Sequence, residues 1–187
     1  MKNIVVSFVL IILFFTACQS SKPPKDAKIV ELGSKQTGGD KQVQLANFTL
    51  QLPDGWEKEA PSNTMRIAQF RLKNNPEYQV VVSYFGDMDN KVDDNIARWK
   101  NQFTKIDNYT ELETAIKGIT AVKILGTFKK KPFPMAQDFV EEEGFGALAA
   151  IVPSNEGPYF LKLTAPAGVI NEQVANFIEM LNSYSVK

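Results

Sequence analysis

Cys18 is the residue of this 187-residue chain whose surroundings point most directly to chemistry. It is the sole cysteine, and it directly follows an uncharged apolar run from Ile4 to Ala17, itself preceded by the short positive start Met1-Lys2-Asn3. A lone thiol can close neither an intrachain disulfide nor a cysteine-based zinc site. That leaves covalent modification, or plain burial at the end of a retained helix. At about 1.5 Å per residue, some 14 helical residues reach roughly 21 Å, short of the roughly 30 Å core of a bilayer. The run therefore reads as the apolar region of a signal peptide rather than a membrane span, and modification of Cys18 is favoured over burial.

The other reactive residue types exclude more than they suggest. The chain has no histidine, which removes the usual general base near neutral pH and the commonest metal ligand. The segment Asp87-Met88-Asp89-Asn90-Lys91-Val92-Asp93 is acidic enough to invite a calcium reading. Lys91, however, stands where an oxygen ligand is needed and Val92 where glycine is needed, so no metal is predicted. Carboxylates are plentiful, but none is marked as a catalytic pair. No nucleophile elbow, phosphate-binding glycine loop or zinc-protease motif is present. The sequence thus predicts no enzyme and no cofactor. A net charge of zero argues against nucleic acid, because displacing counterions from phosphates requires an excess of Lys and Arg. One basic cluster remains: Lys129, Lys130 and Lys131 beside Pro132-Phe133-Pro134. Three cations next to an aromatic ring form a candidate partner-binding loop for an acidic protein or for head groups. The plainer reading is a solvated loop, neutralised by the nearby run Glu141-Glu142-Glu143.

These residues must be positioned by a tether and one domain. From Gln19 to about Lys41, Ser, Pro and Gly interrupt any hydrophobic period, which predicts a flexible, mildly basic linker. Periodicity begins near Val43. Phe48, Leu50 and Leu52 alternate with polar residues as in a half-buried strand, and Pro53-Asp54-Gly55 makes a turn. Met65 to Leu72 and Tyr78 to Phe85 read as a hairpin, with Tyr78, Val80, Val82 and Tyr84 on one face. Val92, Ile96, Trp99 and Phe103 form a helical stripe, with acids in the first turn and a surface pair Asp94 and Arg98 at i, i+4. A second hairpin is expected over Glu111 to Lys117 and Ile119 to Phe128, followed by a loop from Lys129 to Asp138. Strands over Phe145 to Val152 and Tyr159 to Thr164 follow. A closing helix after Pro166 carries the stripe Ile170, Val174, Phe177 and Leu181. Hairpin-length connections and single-striped helices predict an α+β fold, an antiparallel sheet with helices packed on it. An apolar fraction of 44% and an aromatic fraction of 11% are sufficient for its core.

Two resemblances extend this reading. Phe15-Thr16-Ala17-Cys18 looks like the lipobox of bacterial lipoproteins, with Phe15 standing where Leu is more usual. The resemblance implies cleavage before Cys18 and its acylation. With Gln19 rather than Asp next, it also implies sorting to the outer membrane, on its periplasmic side, if the organism has one. Leu52-Pro53 leading to Trp56, Arg98-Trp99 at the end of the first helix, and Gly126-Thr127-Phe128 resemble uncharacterised bacterial proteins with a PsbP/Mog-like fold, over roughly Val43 to Ser183. That implies an α/β/α sandwich and a non-enzymatic accessory or binding role. The histidines implicated in metal binding in the photosystem branch are missing here.

The expected organisation is a lipoprotein signal peptide over residues 1–17, an acylated cysteine and linker over 18–42, and a single α+β domain over 43–187. The expected function is that of a lipid-anchored protein of the bacterial cell envelope, held to the membrane by its acyl chains, that binds a protein partner or supports an assembly. The alternative is a small-ligand-binding protein with a cleft between sheet and helix.

Overall fold

The computed structural model describes residues 41–86, 92–133 and 135–187. The segments expected to be signal peptide and linker, with Cys18 between them, lie outside these residues, as do positions 87–91 of the acidic segment and Pro134.

Leu45 and Phe48 close a tight hairpin between β1 (Gln42–Leu45) and β2 (Phe48–Gln51), and β10 (Ser185–Val186) adds to β2 to complete a three-stranded sheet. The remaining strands form a seven-stranded antiparallel sheet in the order β3-β4-β5-β9-β8-β7-β6. They are β3 (Trp56–Glu59), β4 (Ala68–Leu72), β5 (Asn75–Tyr84), β6 (Phe103–Leu112), β7 (Thr120–Lys130), β8 (Val140–Val152) and β9 (Tyr159–Pro166). The helices are α1 (Val92–Lys100) and α2 (Ala167–Asn182).

Period-two alternation sorts the side chains of the large sheet onto two faces. Phe70, Val80, Val82, Leu148, Leu161 and Leu163 enter one core with Ile170, Phe177, Met180 and Leu181 of α2 and with Phe48 and Leu50 of the small sheet. Trp56 closes this layer, its ring centroid 6.4 Å from that of Phe177 and its indole N–H donating to Gln173 Oε1 at 2.7 Å. The opposite face carries Val122, Ile124, Ala147, Ala149 and Phe160, covered by Trp99 of α1 and by Phe103. Gly146 to Val152 is buried throughout, which is why it reads as an unbroken apolar run rather than an alternating one. The α+β sandwich with a helix on each face is therefore the observed architecture.

Several boundaries differ from expectation. α1 stops at Lys100, and the chain tightens through Gln102 N–H to Trp99 C=O at 3.1 Å. Phe103, placed on the helical stripe by its spacing, instead opens β6 opposite Phe128 and reaches the same core from the sheet. Val92, also on that stripe, is 40% exposed in the first turn. No ion pair among the described residues joins Asp94 to Arg98. The strand expected over Glu111 to Lys117 lies earlier, as β6, and β1, β3 and β10 are additional. Lys129 and Lys130 belong to β7, so the loop expected from Lys129 begins at Lys131.

At Gly126 the neighbouring edge strand comes so close that a Cβ would lie 2.0 Å from the Lys105 carbonyl oxygen. Ladder irregularities on both sides, at Phe103/Lys105 and Ile106/Asn108 of β6 and at Gly126/Phe128 of the β7–β8 pairing, accompany this approach.

Candidate functional site

Two regions of the domain expose groups that could recognise another molecule. The first is the end of the β7–β8 hairpin. Pairing of β8 with β9 begins only at Phe145, and pairing of β6 with β7 reaches only Phe128. Beyond those points β7 and β8 continue together, with Lys129 opposite Glu141 and Lys130 opposite Val140. This two-stranded extension carries Phe133, Met135 and Val140 at 60%, 84% and 66% exposure. Solvent-facing apolar side chains at such levels, gathered at one tip, exceed what scattered surface residues would supply.

The three lysines do not share one environment. Lys129 is half-buried; its ammonium donates to the Asn101 carbonyl at 3.0 Å and lies 5.7 Å from the centre of the Phe139 ring. Lys130 pairs with Glu142 at 2.5 Å, and that hydrogen bond, with the attraction of the carboxylate, raises its pKa above the ordinary lysine value. Lys131 is exposed next to Phe133. The expected mutual neutralisation of the two charge runs thus holds for one pair, Lys130 with Glu142, while Lys131, Glu141 and Glu143 face solvent. Glu142 Oε2 is buried and receives no hydrogen bond among the described residues.

The second region is a cleft of about 420 Å³ beside α1. α1 covers the β6–β8 side of its face of the sheet, leaving the β5 and β9 side open. Antiparallel register places Ser83 opposite Phe160 and Val81 opposite Lys162, and alternation along the same strands brings Gln79 and Thr164 to that face. All six line the cleft, with Arg98, Trp99 and Gln102 above them. The Lys162 ammonium donates to Gln102 Oε1 and lies 5.5 Å from the centre of the Phe128 ring. The Arg98 guanidinium lies 5.6 Å and 5.7 Å from the centres of the Phe85 and Phe160 rings. No carboxylate among the described residues pairs with either cation. Lys162 is partly buried in the cleft wall. Burial first, and repulsion from Arg98 second, lower its pKa to about 8.

The sequence singled out the hairpin tip by residue, whereas a cleft between sheet and helix was expected only as the alternative, without its lining residues. The available signal was Lys162 itself, the one charge in the otherwise apolar and hydroxyl-bearing strand Tyr159 to Thr164. Among the described residues, no helix is long and apolar enough to cross a membrane, and no group of three or more acidic, cysteine or histidine side chains could hold a metal.

No family profile matches the chain, and no curated protein sequence matches it. Solved structures with similarity of fold include the solution structure of cyanobacterial PsbP (CyanoP) from Synechocystis sp. PCC 6803. It is 12% identical with a TM-score of 0.49, over 83% of this chain and 99% of that one. A protein of Bacteroides thetaiotaomicron VPI-5482 is 12% identical with a TM-score of 0.47, over 79% of this chain and 48% of that one. LpqN, involved in cell envelope biogenesis of Mycobacterium tuberculosis, is 15% identical with a TM-score of 0.45, over 75% and 83%. At these identities the likeness concerns the fold alone.

Proposed function

We propose that this chain is a lipid-anchored, non-enzymatic accessory protein of the bacterial cell envelope that binds an acidic protein partner through the tip of the β7–β8 hairpin. The exposed apolar tip carries the reading: Phe133, Met135 and Val140 stand beyond the large sheet beside Lys129 and Lys131. Lys131, exposed beside Phe133, suits a carboxylate of the partner while the exposed apolar side chains supply contact area. The anchor rests on Cys18 directly behind its apolar run. Acyl chains hold a protein to a membrane because each buried methylene contributes about 0.8 kcal/mol and several chains add. Cys18→Ala should abolish acylation and release the protein from the membrane fraction. Mature wild-type protein with no acyl mass on Cys18 would rule the anchor out.

A second reading, binding of a small ligand, is favoured by one observation: an open cleft between α1 and the sheet, of a size usual for such sites.

A further inference from the structure

Neither Lys162 nor Arg98 has a carboxylate partner among the described residues. An ammonium has three donors and a guanidinium five. Of Lys162's donors, one goes to Gln102 Oε1, and the Phe128 ring lies 5.5 Å from the ammonium. Arg98 donates no hydrogen bond within the described residues and rests over two rings. Two like charges at one cleft repel each other, and burial of one deepens the cost. Glu77, the carboxylate among the lining residues, lies toward the other end of β5 from Ser83 and pairs with neither cation.

Beside the cations runs a short polar ladder. Ser83 and Gln79 on β5 point to the same side as Thr164 on β9, and the hydroxyls of Ser83 and Thr164 make no hydrogen bond among the described residues. From Ser83 to Gln79 the ladder is about 13 Å long at the rise of a strand. The Phe160 ring, opposite Ser83, supplies an apolar wall.

We propose that this cleft binds a small hydroxylated organic anion, a sugar acid or sugar phosphate, with its carboxylate or phosphate between Lys162 and Arg98 and its hydroxyls along Ser83, Gln79 and Thr164. The inference rests on the cleft being a ligand site and is independent of the hairpin tip. An oxyanion there would supply a counter-charge to both cations and favour the protonated lysine. Arg98 would offer paired N–H groups to it, as guanidinium groups do to carboxylates and phosphates.

The test is amide chemical-shift titration of the domain with four probes: D-glucuronate, glucose 6-phosphate, inorganic phosphate and glucose. A fifth, indole, serves as a neutral aromatic. Glucuronate or glucose 6-phosphate should shift the amides of Ser83, Arg98, Gln102 and Lys162, saturably and more tightly than inorganic phosphate. Which of the two organic anions binds more tightly tells a carboxylate from a phosphate ligand. Glucose should bind at least about tenfold more weakly, since a hydrogen bond to a charged group contributes about 1.5–3 kcal/mol. Lys162→Met and Arg98→Gln should each weaken the anion by about tenfold or more, with Lys162→Arg retaining most of the affinity. Cleft shifts with glucose or indole as strong as with the anions, or anion binding unchanged in Lys162→Met, would overturn the anion while leaving the cleft a ligand site. No saturable cleft shift with any probe would overturn both.

Discussion

The two faces of the seven-stranded sheet differ in how completely they are covered. On one, the 16 residues of α2 and the whole small sheet bury a continuous layer in which Phe48, Leu50, Phe177, Met180 and Leu181 are sealed from solvent. On the other, the nine residues of α1 cover only the β6–β8 side, and the β5–β9 side is left as a cleft lined by Arg66, Arg98 and Lys162, none of which forms an ion pair among the described residues. Stability is thus concentrated on the α2 face. The α1 face can carry polar groups that a closed core would exclude, because water or a ligand can still reach them. Binding groups and core-forming groups share strands β5 and β9 without conflict, since successive residues point to opposite faces.

Truncating the closed face should have the largest effect. Phe177→Ala should cost about 3–5 kcal/mol in urea unfolding, the usual range for a buried aromatic. Trp99→Ala should cost less, because α1 can undock locally while the sheet and α2 stay folded. Hydrogen exchange would show this as loss of protection confined to α1. Equal costs with uniform loss of protection would mean the two faces form one cooperative unit.

Gly126→Ala should come next, at about 1–3 kcal/mol, because the new methyl group meets the Lys105 backbone rather than a movable side chain. It should loosen β6 amides selectively. An unchanged midpoint would show that the edge strand can shift to accommodate the methyl.

A smaller effect, of opposite sign, is expected from Lys162→Met. The folded lysine titrates near 8, below its ordinary 10.5, so between those values the unfolded chain holds a proton the folded chain has lost. Wild-type stability therefore gains from rising pH across that window, and below it the domain carries the cost of a partly buried ammonium. Lys162→Met should raise the melting temperature at pH 7 by roughly 2–4 °C, the shift about 1 kcal/mol produces in a domain of this size. The advantage over wild type should shrink between pH 8 and 10.5. A variant less stable than wild type at pH 7 would mean the ammonium is well solvated where it stands.

What could be read from the sequence follows from the same asymmetry. α2 was expected where it lies, after Pro166, and the strands beneath it were located with ends displaced by up to five residues, because burial on one face imposes clean periods: Ile170, Phe177 and Leu181 along the helix, Tyr78 to Tyr84 along β5. β6 was missed because an edge strand facing water needs no alternation. Thr104 to Asn108 is exposed throughout, and two ladder irregularities break what period remains. Phe103 was assigned to the wrong element but the right core, since one helical spacing happens to coincide with the first residue of the next strand. A cleft between sheet and helix was expected as an alternative, but its residues could not be read. It depends on how far α1 extends over β9 and on which residues of β5 lie opposite Lys162, and both are tertiary facts. Lys129 to Phe133 could be flagged from composition, but not the division that leaves Lys131 free and commits Lys130 to Glu142.

The central claim, that recognition lies at the hairpin tip and not on the α2 side, is tested most directly by site-specific photo-crosslinking in the native envelope. One photoreactive residue replaces Phe133, and in a separate strain another replaces the exposed Glu172 of α2. The account predicts a discrete crosslinked species from position 133, containing a protein with an acidic surface, and none from position 172. It also predicts that replacing Lys129, Lys130 and Lys131 by Gln removes the species at a cost of about 1–2 kcal/mol in stability, because the Lys130–Glu142 pair and the Lys129 hydrogen bond to Asn101 go with it. The same species at the same yield from both positions, or from position 133 with all three lysines replaced, would contradict it.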